Sequence, residues 1–274
     1  MTTHLVIPDT QAKAGVPVAH LRWIGQYILD RKPDVVVHLG DHWDMPSLSS
    51  YDKGKKSMEG RRYLSDVAAG NEAFQLLNEP LNAYNATRVR FKEKQWWPDR
   101  HLLRGNHEHR IVRAVELDAQ LEGVIGLHDL QSPGWQVHEF LEPVDLNGVV
   151  YSHYFANRGT GKPLGGQALT RLKQLGHTFV QGHQQVLEVA TRYVLDKPQW
   201  GIVAGACYLH EEDYLGPQGN HHWRGVIVLH QVEDGAFDPM FVSLDYLCRR
   251  YEGVPLTEFL NAHGGTHGVP ADHD

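Results

Sequence analysis

The sequence predicts an α/β fold in which two central mixed β-sheets pack face to face and are flanked by helices. Three observations predict it. Apolar, β-branched runs alternate with segments of helical periodicity up to Glu108, each run stops on a polar residue, and from about residue 135 the texture turns strand-rich. Strand–helix alternation implies a parallel sheet whose ligand sites lie beyond the carboxyl ends of its strands.

Taken in order, His4 to Ile7 reads as a buried strand that delivers Asp9. Val18, Leu21, Ile24 and Ile28 have helical spacing, with Pro17 suited to a first turn and Pro33 closing the segment. Asp34 to Leu39 is a second strand, ending in Gly40-Asp41. Leu64, Val67, Asn71, Phe74 and Leu77 suggest a second helix, and His101 to Arg104 a third strand that runs into Gly105-Asn106-His107-Glu108. Asp9, Asp41 and Asn106 therefore converge. In the second half, Trp135 to Phe140, Val149 to Ser152, Thr178 to Gln181, Val186 to Val194, Gly201 to Ala206, Gly225 to His230 and Phe241 to Leu244 read as strands, with one helix near Gln167 to Leu175. A βαβαβ half followed by a strand-rich half implies the two packed sheets. One domain, residues 1–262, holds all of this. Residues 263–274, with Gly264-Gly265 and three histidines, read as a weakly ordered tail.

Composition narrows the function. The 33 acidic and 26 basic residues give a formal charge of -7, so the protein as a whole does not attract nucleic acid or anionic membrane, and any phosphate it handles is drawn in locally. No apolar run is long enough to span a bilayer. Two cysteines, Cys207 and Cys248, in a chain without a signal-like start point to free thiols and a cytoplasmic location. Histidine is abundant, at 19 residues, and clusters beside Asp, Asn and Gly at strand ends.

Those strand ends carry the chemistry: Asp9-Thr10-Gln11, Gly40-Asp41-His42-Trp43-Asp44, Gly105-Asn106-His107-Glu108, Tyr151-Ser152-His153-Tyr154 and Gly182-His183-Gln184-Gln185. Carboxylate, imidazole and amide oxygen together suit Mn, Fe, Zn or Mg, and a carboxylate can bridge two ions; Asp41 is the natural bridge. Two ions about 3.5–4 Å apart clamp the attacking and leaving oxygens of a phosphoryl displacement and acidify a bound water.

In these motifs the chain resembles the calcineurin-like metallophosphoesterase superfamily, whose pattern is D-x-H, G-D-x-x-D, G-N-H-D/E, a lone His and G-H-x-H. The likeness spans residues 4–185 in order, and the glycine-led motifs at Asp41 and Asn106 are its most specific pieces. It implies a four-layer sandwich and a metal-activated water that hydrolyses a phosphodiester or phosphomonoester. It implies one divalent ion on Asp41, Asn106, His153 and His183, and a second on Asp9 and Asp41. It also implies a catalytic role for His107, which contacts the substrate phosphate and protonates the leaving oxygen, with Glu108 orienting it. Gln11 and Gln185 stand where the family usually has histidines, both on the second metal. Amide oxygen is a harder, weaker donor than imidazole, so that site should favour Mn or Mg over Zn and hold its ion less tightly. The same glutamines, with Ser47 to Arg62 and Glu211 to Trp223, are similar to phage-encoded members, which would place the protein in a host cytoplasm and make a nucleotide or nucleic acid the substrate.

Several residues carry blander expectations. His42 and His109 occupy variable motif positions and read as neighbours of the site, while Asp44 supports it by hydrogen bonding. Lys53, Lys55, Lys56, Arg61 and Arg62 form either a solvated loop or a phosphate-steering rim. His221 and His222 lie in a loop that either packs on the surface or leans over the site. Trp96-Trp97-Pro98 lacks interleaved basic residues and reads as core or interface. The alternative function is a non-catalytic binding protein that has lost one metal through Gln11 and Gln185; the intact Asn106-His107-Glu108 argues against it.

Overall fold

The computed structural model describes residues 1–212 and 215–263, so the expected tail, apart from His263, lies outside the described residues. Strands β1 (Thr2–Ile7), β2 (Val35–His38), β3 (Asp99–Leu103) and β4 (Gln136–His138) run parallel and adjacent. On the other side of β1 lie β10 (Gly225–Glu233), antiparallel to it, and β11 (Ala236–Ser243), giving the order β11-β10-β1-β2-β3-β4. The second sheet joins β5 (Val144–Leu146), β6 (Val149–Ser152), β7 (Phe179–Gln181), β8 (Leu187–Val194) and β9 (Lys197–Ala204) in the order β5-β6-β7-β9-β8. Its three inner strands, β6, β7 and β9, are parallel.

Strand alternation explains the layering. In β1, Leu5 and Ile7 join the core beneath the helices whereas Val6 points to the core between the sheets. In β2, Val36 and then Val35 and Val37 divide the same way. The inter-sheet core adds Leu39, Leu103, Tyr151, Val180, Ile202 and Ile227. Outside the first sheet lie α1 (Ala19–Arg31) and the long α2 (Tyr63–Arg90), joined by α6 (Leu244–Glu252) and α7 (Leu256–Ala262), whose Leu244, Leu247 and Phe259 enter the same core. Outside the second sheet lies α4 (Ala168–Leu175), where Leu172 packs on Phe155 and Phe179. A single turn of helix, α5 (Gly216–Gly219), interrupts the loop before β10. The result is the expected α/β sandwich of two mixed sheets between helices.

Three further helices are not apparent from apolar spacing. α3 (His109–Leu117) continues directly from Glu108 but buries only Ile111, too little to leave a periodic stripe. α6 and α7 are short, and the run Phe241 to Leu244 reads as strand although Leu244 already begins α6. Ser243 marks that boundary: its hydroxyl accepts from the Tyr246 N–H at 3.1 Å, an N-cap that stops the strand. β5, too, lies outside the predicted runs. α1 starts at Ala19, so Pro17 precedes the helix, and it ends at Lys32 in the left-handed conformation before Pro33. Trp96 packs partly buried against the helical core, and Trp97 stacks under Arg100, 4.6 Å from its guanidinium.

One fold contact titrates. His20 on α1 is buried, and its Nε2 donates to Cys207 O at 2.9 Å, tying the helix to the chain after β9. Burial lowers the imidazole from the ordinary 6.5 to about 3, against the opposing Cys207 hydrogen bond. The unfolded chain therefore binds a proton that the folded chain refuses, and stability conferred by neutral His20 is present above pH 6.5 and lost as pH falls toward 3. We expect His20→Gln to lose less stability than the unsubstituted protein between pH 7 and pH 4, by about 1 kcal/mol or more in urea titrations. Parallel losses in both proteins would remove His20 from the acid limb.

Candidate metal centre

The parallel strands of both sheets deliver their polar ends to one place. Asp9 and Gln11 follow β1, Asp41 and Asp44 follow β2, and Asn106, His107 and Glu108 follow β3. His153 follows β6, while His183 and Gln185 follow β7. The loops themselves are laced together: the Gln11 N–H donates to Asp41 O at 2.9 Å, Ala12 N–H to His42 O at 2.7 Å and Cys207 N–H to Asp9 O at 2.7 Å. Two glycines make room for the carboxylates. A Cβ on Gly105 would meet Asp41 Oδ1 at 2.1 Å, and one on Gly182 would meet Asp9 Oδ1 at 2.3 Å. Gln11, Asp41, His183 and Gln185 all adopt positive φ, of 41, 49, 70 and 58°, in the left-handed region that costs residues with a Cβ.

Asp41, His153 and His183 bring a ligand atom each within 4.8 Å of one another. His153 Nε2 lies 2.9 Å from Asn106 Oδ1 and 3.3 Å from Asp41 Oδ2. Its Nδ1 donates to Leu39 O at 2.9 Å, which turns Nε2 toward the carboxylate and amide oxygens. Asp9 sits behind, both its oxygens accepting from the His183 N–H at 3.0 and 3.1 Å. The charges press on each other. Burial pushes Asp9 up to about 7, with Asp41 adding to the rise and His153 opposing it. Burial would also raise Asp41, but the His107 and His153 imidazoles outweigh it and hold this carboxyl well below the ordinary range. Burial would lower His153, yet the Asp41 carboxylate drives it up to about 9; burial, then His153, lowers His183 to about 4.

Acceptors that face one another at such distances fit a divalent cation, which would take the place of the proton on His153 Nε2. Gln11 supports the fit: its side chain is fully buried and neither Oε1 nor Nε2 has a hydrogen-bond partner among the described residues. Gln185 differs, because its Oε1 accepts from Tyr208 OH at 2.8 Å. Asp9, Asp41, Asn106, His153 and His183 thus form the convergent set, with Gln11 at its side and Gln185 held back by a tyrosine.

His107 and its neighbours depart from expectation in one respect. The orienting contact assigned to Glu108 is made by Asp44, whose Oδ1 lies 2.7 Å from His107 Nδ1, while His107 Nε2 looks toward Asp41 Oδ2 at 3.7 Å. Glu108 is fully engaged elsewhere. Its carboxylate accepts the backbone N–H groups of Asp41, His42, Trp43 and Gly105 at 3.1, 2.6, 3.0 and 2.7 Å. It therefore binds the β2 loop to the β3 loop and cannot also hold an imidazole.

Asp44 in turn is held by residues that the motif pattern does not mark. Lys13 Nζ sits 2.9 Å from Asp44 Oδ2 and 2.8 Å from Glu212 Oε1, and His210 Nε2 lies 2.7 Å from the same Glu212 oxygen. Arg110 Nη1 donates to Asp44 O at 2.8 Å. Burial opposes an ionised Asp44, but His107, Lys13 and Arg110 together keep its carboxyl well below the usual range. Burial likewise opposes a charged Lys13, and Asp44 and Glu212 raise it. Only the position of Lys13 two residues beyond Gln11 could have signalled this.

The remaining candidates are neighbours. His42 is buried between Thr10 Oγ1 at 2.7 Å and Gly70 O at 3.0 Å, and His109 stacks on Phe140. Lys55 and Arg61 both pair with Asp52, at 3.2 and 2.9 Å, so the expected phosphate-steering rim spends two of its charges within its own loop. His222 lies 3.2 Å from Tyr208 OH, which in turn donates to Gln185 Oε1; His221 is exposed.

Carboxylate, imidazole and amide donors gathered at the strand ends of a two-sheet α/β sandwich define a metal-dependent hydrolase. The family model of calcineurin-like phosphoesterases matches residues 3–229, and the chain belongs to that family. It is a metal-dependent phosphoesterase. Among solved structures the chain is similar to Yfce, a phosphoesterase from E. coli, at 12% identity and a TM-score of 0.40, over 88% of this chain and 100% of that one. It is also similar to TT1561 of Thermus thermophilus, at 10% identity and a TM-score of 0.34, over 88% of this chain and 98% of that one. No curated protein matches it.

Two outcomes follow from this geometry. Glu108→Gln turns an NH2 group against backbone donors and should cost about 3 kcal/mol in urea unfolding. A loss below about 0.5 kcal/mol would show that the clamp is dispensable. Gln11→His should raise the metal content measured by elemental analysis at limiting metal, and shift selectivity toward Zn; unchanged content and selectivity would remove Gln11 from the ligand set.

Proposed function

We propose that the protein hydrolyses phosphodiester or phosphomonoester bonds of nucleotides or nucleic acid, using two divalent cations, Mn foremost. Mg, Fe and Zn are compatible with the same donors. Asp41, Asn106, His153 and His183 would hold one ion; Asp9, Asp41, Gln11 and Gln185 would hold the other, less tightly. The observation that carries this reading is the Asp44–His107 pair set beside the Asp41, Asn106 and His153 cluster. A binding protein that kept its metal for structure has no use for an imidazole braced by a buried carboxylate. A cytoplasmic location agrees with two buried free thiols, and among the described residues no helix is long and apolar enough to cross a membrane. The likeness to phage-encoded members rests on the two glutamines and the two loop segments alone.

Bound cations supply an acidified water and neutralise charge on the phosphoryl oxygens. The protein's own groups do the rest. His107 presents Nε2 to the centre while Asp44 holds Nδ1 at 2.7 Å, so one N–H is aimed at the leaving ester oxygen and donates its proton as the P–O bond breaks. Burial alone would lower the imidazole, but Asp41 and Asp44 raise His107 above its ordinary value. Asp44 stays ionised because Lys13 and Arg110 flank it.

The test is turnover of bis-p-nitrophenyl phosphate and p-nitrophenyl phosphate with Mn, Mg, Zn or chelator. Turnover should need the metal, vanish in Asp41→Asn and fall about 10²- to 10⁴-fold in kcat for His107→Asn. The preferred ester separates diesterase from monoesterase. Folded, metal-loaded protein that turns over neither ester nor an oligonucleotide would favour the binding protein.

A further inference from the structure

Beside the centre, where the second sheet meets α4, lies an open cleft of about 590 Å³. Gln167, Arg171, Gln184 and Glu188 line it together with His183, one of the candidate ligands. Arg171 is its unusual member. The residue is 2% exposed, its Nε donates to Leu164 O at 3.0 Å, and its Nη1 is enclosed without a partner among the described residues. No ion pair neutralises it among the described residues. The carboxylate whose field reaches it, Glu188, commits Oε2 to the Ala168 N–H at the start of α4, at 2.7 Å. Gln184 adds a second unsatisfied group, its Oε1 being buried without a partner among the described residues. Rotating that amide presents two N–H donors to the same space.

A guanidinium under cover, with part of its donor fork unused, is a poor structural element. A leucine or methionine would fill the same volume without the desolvation cost. Planar, paired donors suit a phosphate better than any other common ligand. The position is also informative, because Arg171 lines the same cleft as His183, at the edge of the metal cluster.

We propose that this cleft is a subsite for a second phosphate of the substrate, held by Arg171 and Gln184 and separated from the scissile phosphorus by a sugar or comparable spacer. The proposal rests on the phosphoesterase reading above and narrows its substrate to esters carrying a flanking phosphate, such as oligonucleotides and nucleoside bisphosphates. Lone monoesters would use the metal centre alone. With a formal charge of -7 on the chain, such a substrate finds its attraction locally, in this buried cation.

The experiment compares the p-nitrophenyl ester of thymidine 5′-phosphate with the same ester bearing a second phosphate on its 3′ oxygen, using metal-loaded, full-length protein. The 3′ phosphate should lower KM by about tenfold. Arg171→Met should abolish that advantage, and Glu188→Gln, which keeps the acceptor for Ala168 but removes the negative charge, should enlarge it. Glu188→Gln decides the matter if Arg171→Met does not fold. In parallel, calorimetric titration with inorganic pyrophosphate should show weaker binding to Arg171→Met. Equal KM ratios in all three proteins would overturn the subsite while leaving the phosphoesterase reading intact. Pyrophosphate binding that depends on Arg171, with neither ester cleaved under any metal, would uphold the anion site and overturn the catalytic reading.

Discussion

The centre depends on one carboxylate that contributes nothing to the chemistry directly. Glu108 is buried and accepts four backbone N–H groups, three from the loop after β2 and one from the loop after β3. Two neighbouring parallel strands place their loops side by side but do not fix their conformation. A single acceptor-only group shared between them does, because every donor it collects would otherwise be buried without a partner. Asp41 is then presented in a left-handed turn, and its Oδ1 accepts the His107 N–H at 2.8 Å, a return bond from the second loop to the first. The two bonds cross, and neither loop can shift without breaking one of them.

That arrangement explains why strain collects here. Gln11, Asp41, His183 and Gln185 each hold positive φ, on three different loops. None of these residues gains from the conformation locally. The gain comes from donors that meet, and the cost is borne by the rigid sheets beneath, whose inter-sheet core from Val6 to Phe237 is closed to solvent. Gly105 and Gly182 serve the same end by giving way to the carboxylates of Asp41 and Asp9.

Much of this was legible in the sequence, for a definite reason. Strands buried on both faces read as apolar runs, so β1, β2, β6 and β7 announced themselves, and with them the polar residues that each strand releases at its end. The convergence of Asp9, Asp41, Asn106, His153 and His183 followed from topology. What was not legible lies in contacts made across the sequence by residues outside the motifs. Lys13 reaches Asp44 and Glu212, and Tyr208 reaches Gln185; no spacing rule links them. The sequence assigns Glu108 to His107 and gives Asp44 only a general supporting role, yet it is Asp44 that touches the imidazole, because which carboxylate reaches it depends on how the β2 loop turns. The C-terminal helices escaped because each buries only two or three residues, below what periodicity can resolve.

The two glutamines separate on the same physical grounds. Imidazole at either position would bring a nitrogen that binds Zn and related ions strongly, whereas an amide brings an oxygen that competes poorly with water. Gln11 is enclosed, with neither polar atom partnered among the described residues, so a cation is the partner that would relieve it. Gln185 already has Tyr208, itself packed 4.6 Å beneath the Arg224 guanidinium and joined to His222. Recruiting Gln185 to a metal therefore draws on a packed network that reaches into the 211–223 loop, where Glu212 also anchors Lys13. The Gln185 amide and the His107 imidazole are in this way braced from the same segment, one through Tyr208 and the other through Asp44, Lys13 and Glu212. The Asp41–His153 cluster takes its support from Glu108 and Leu39 instead.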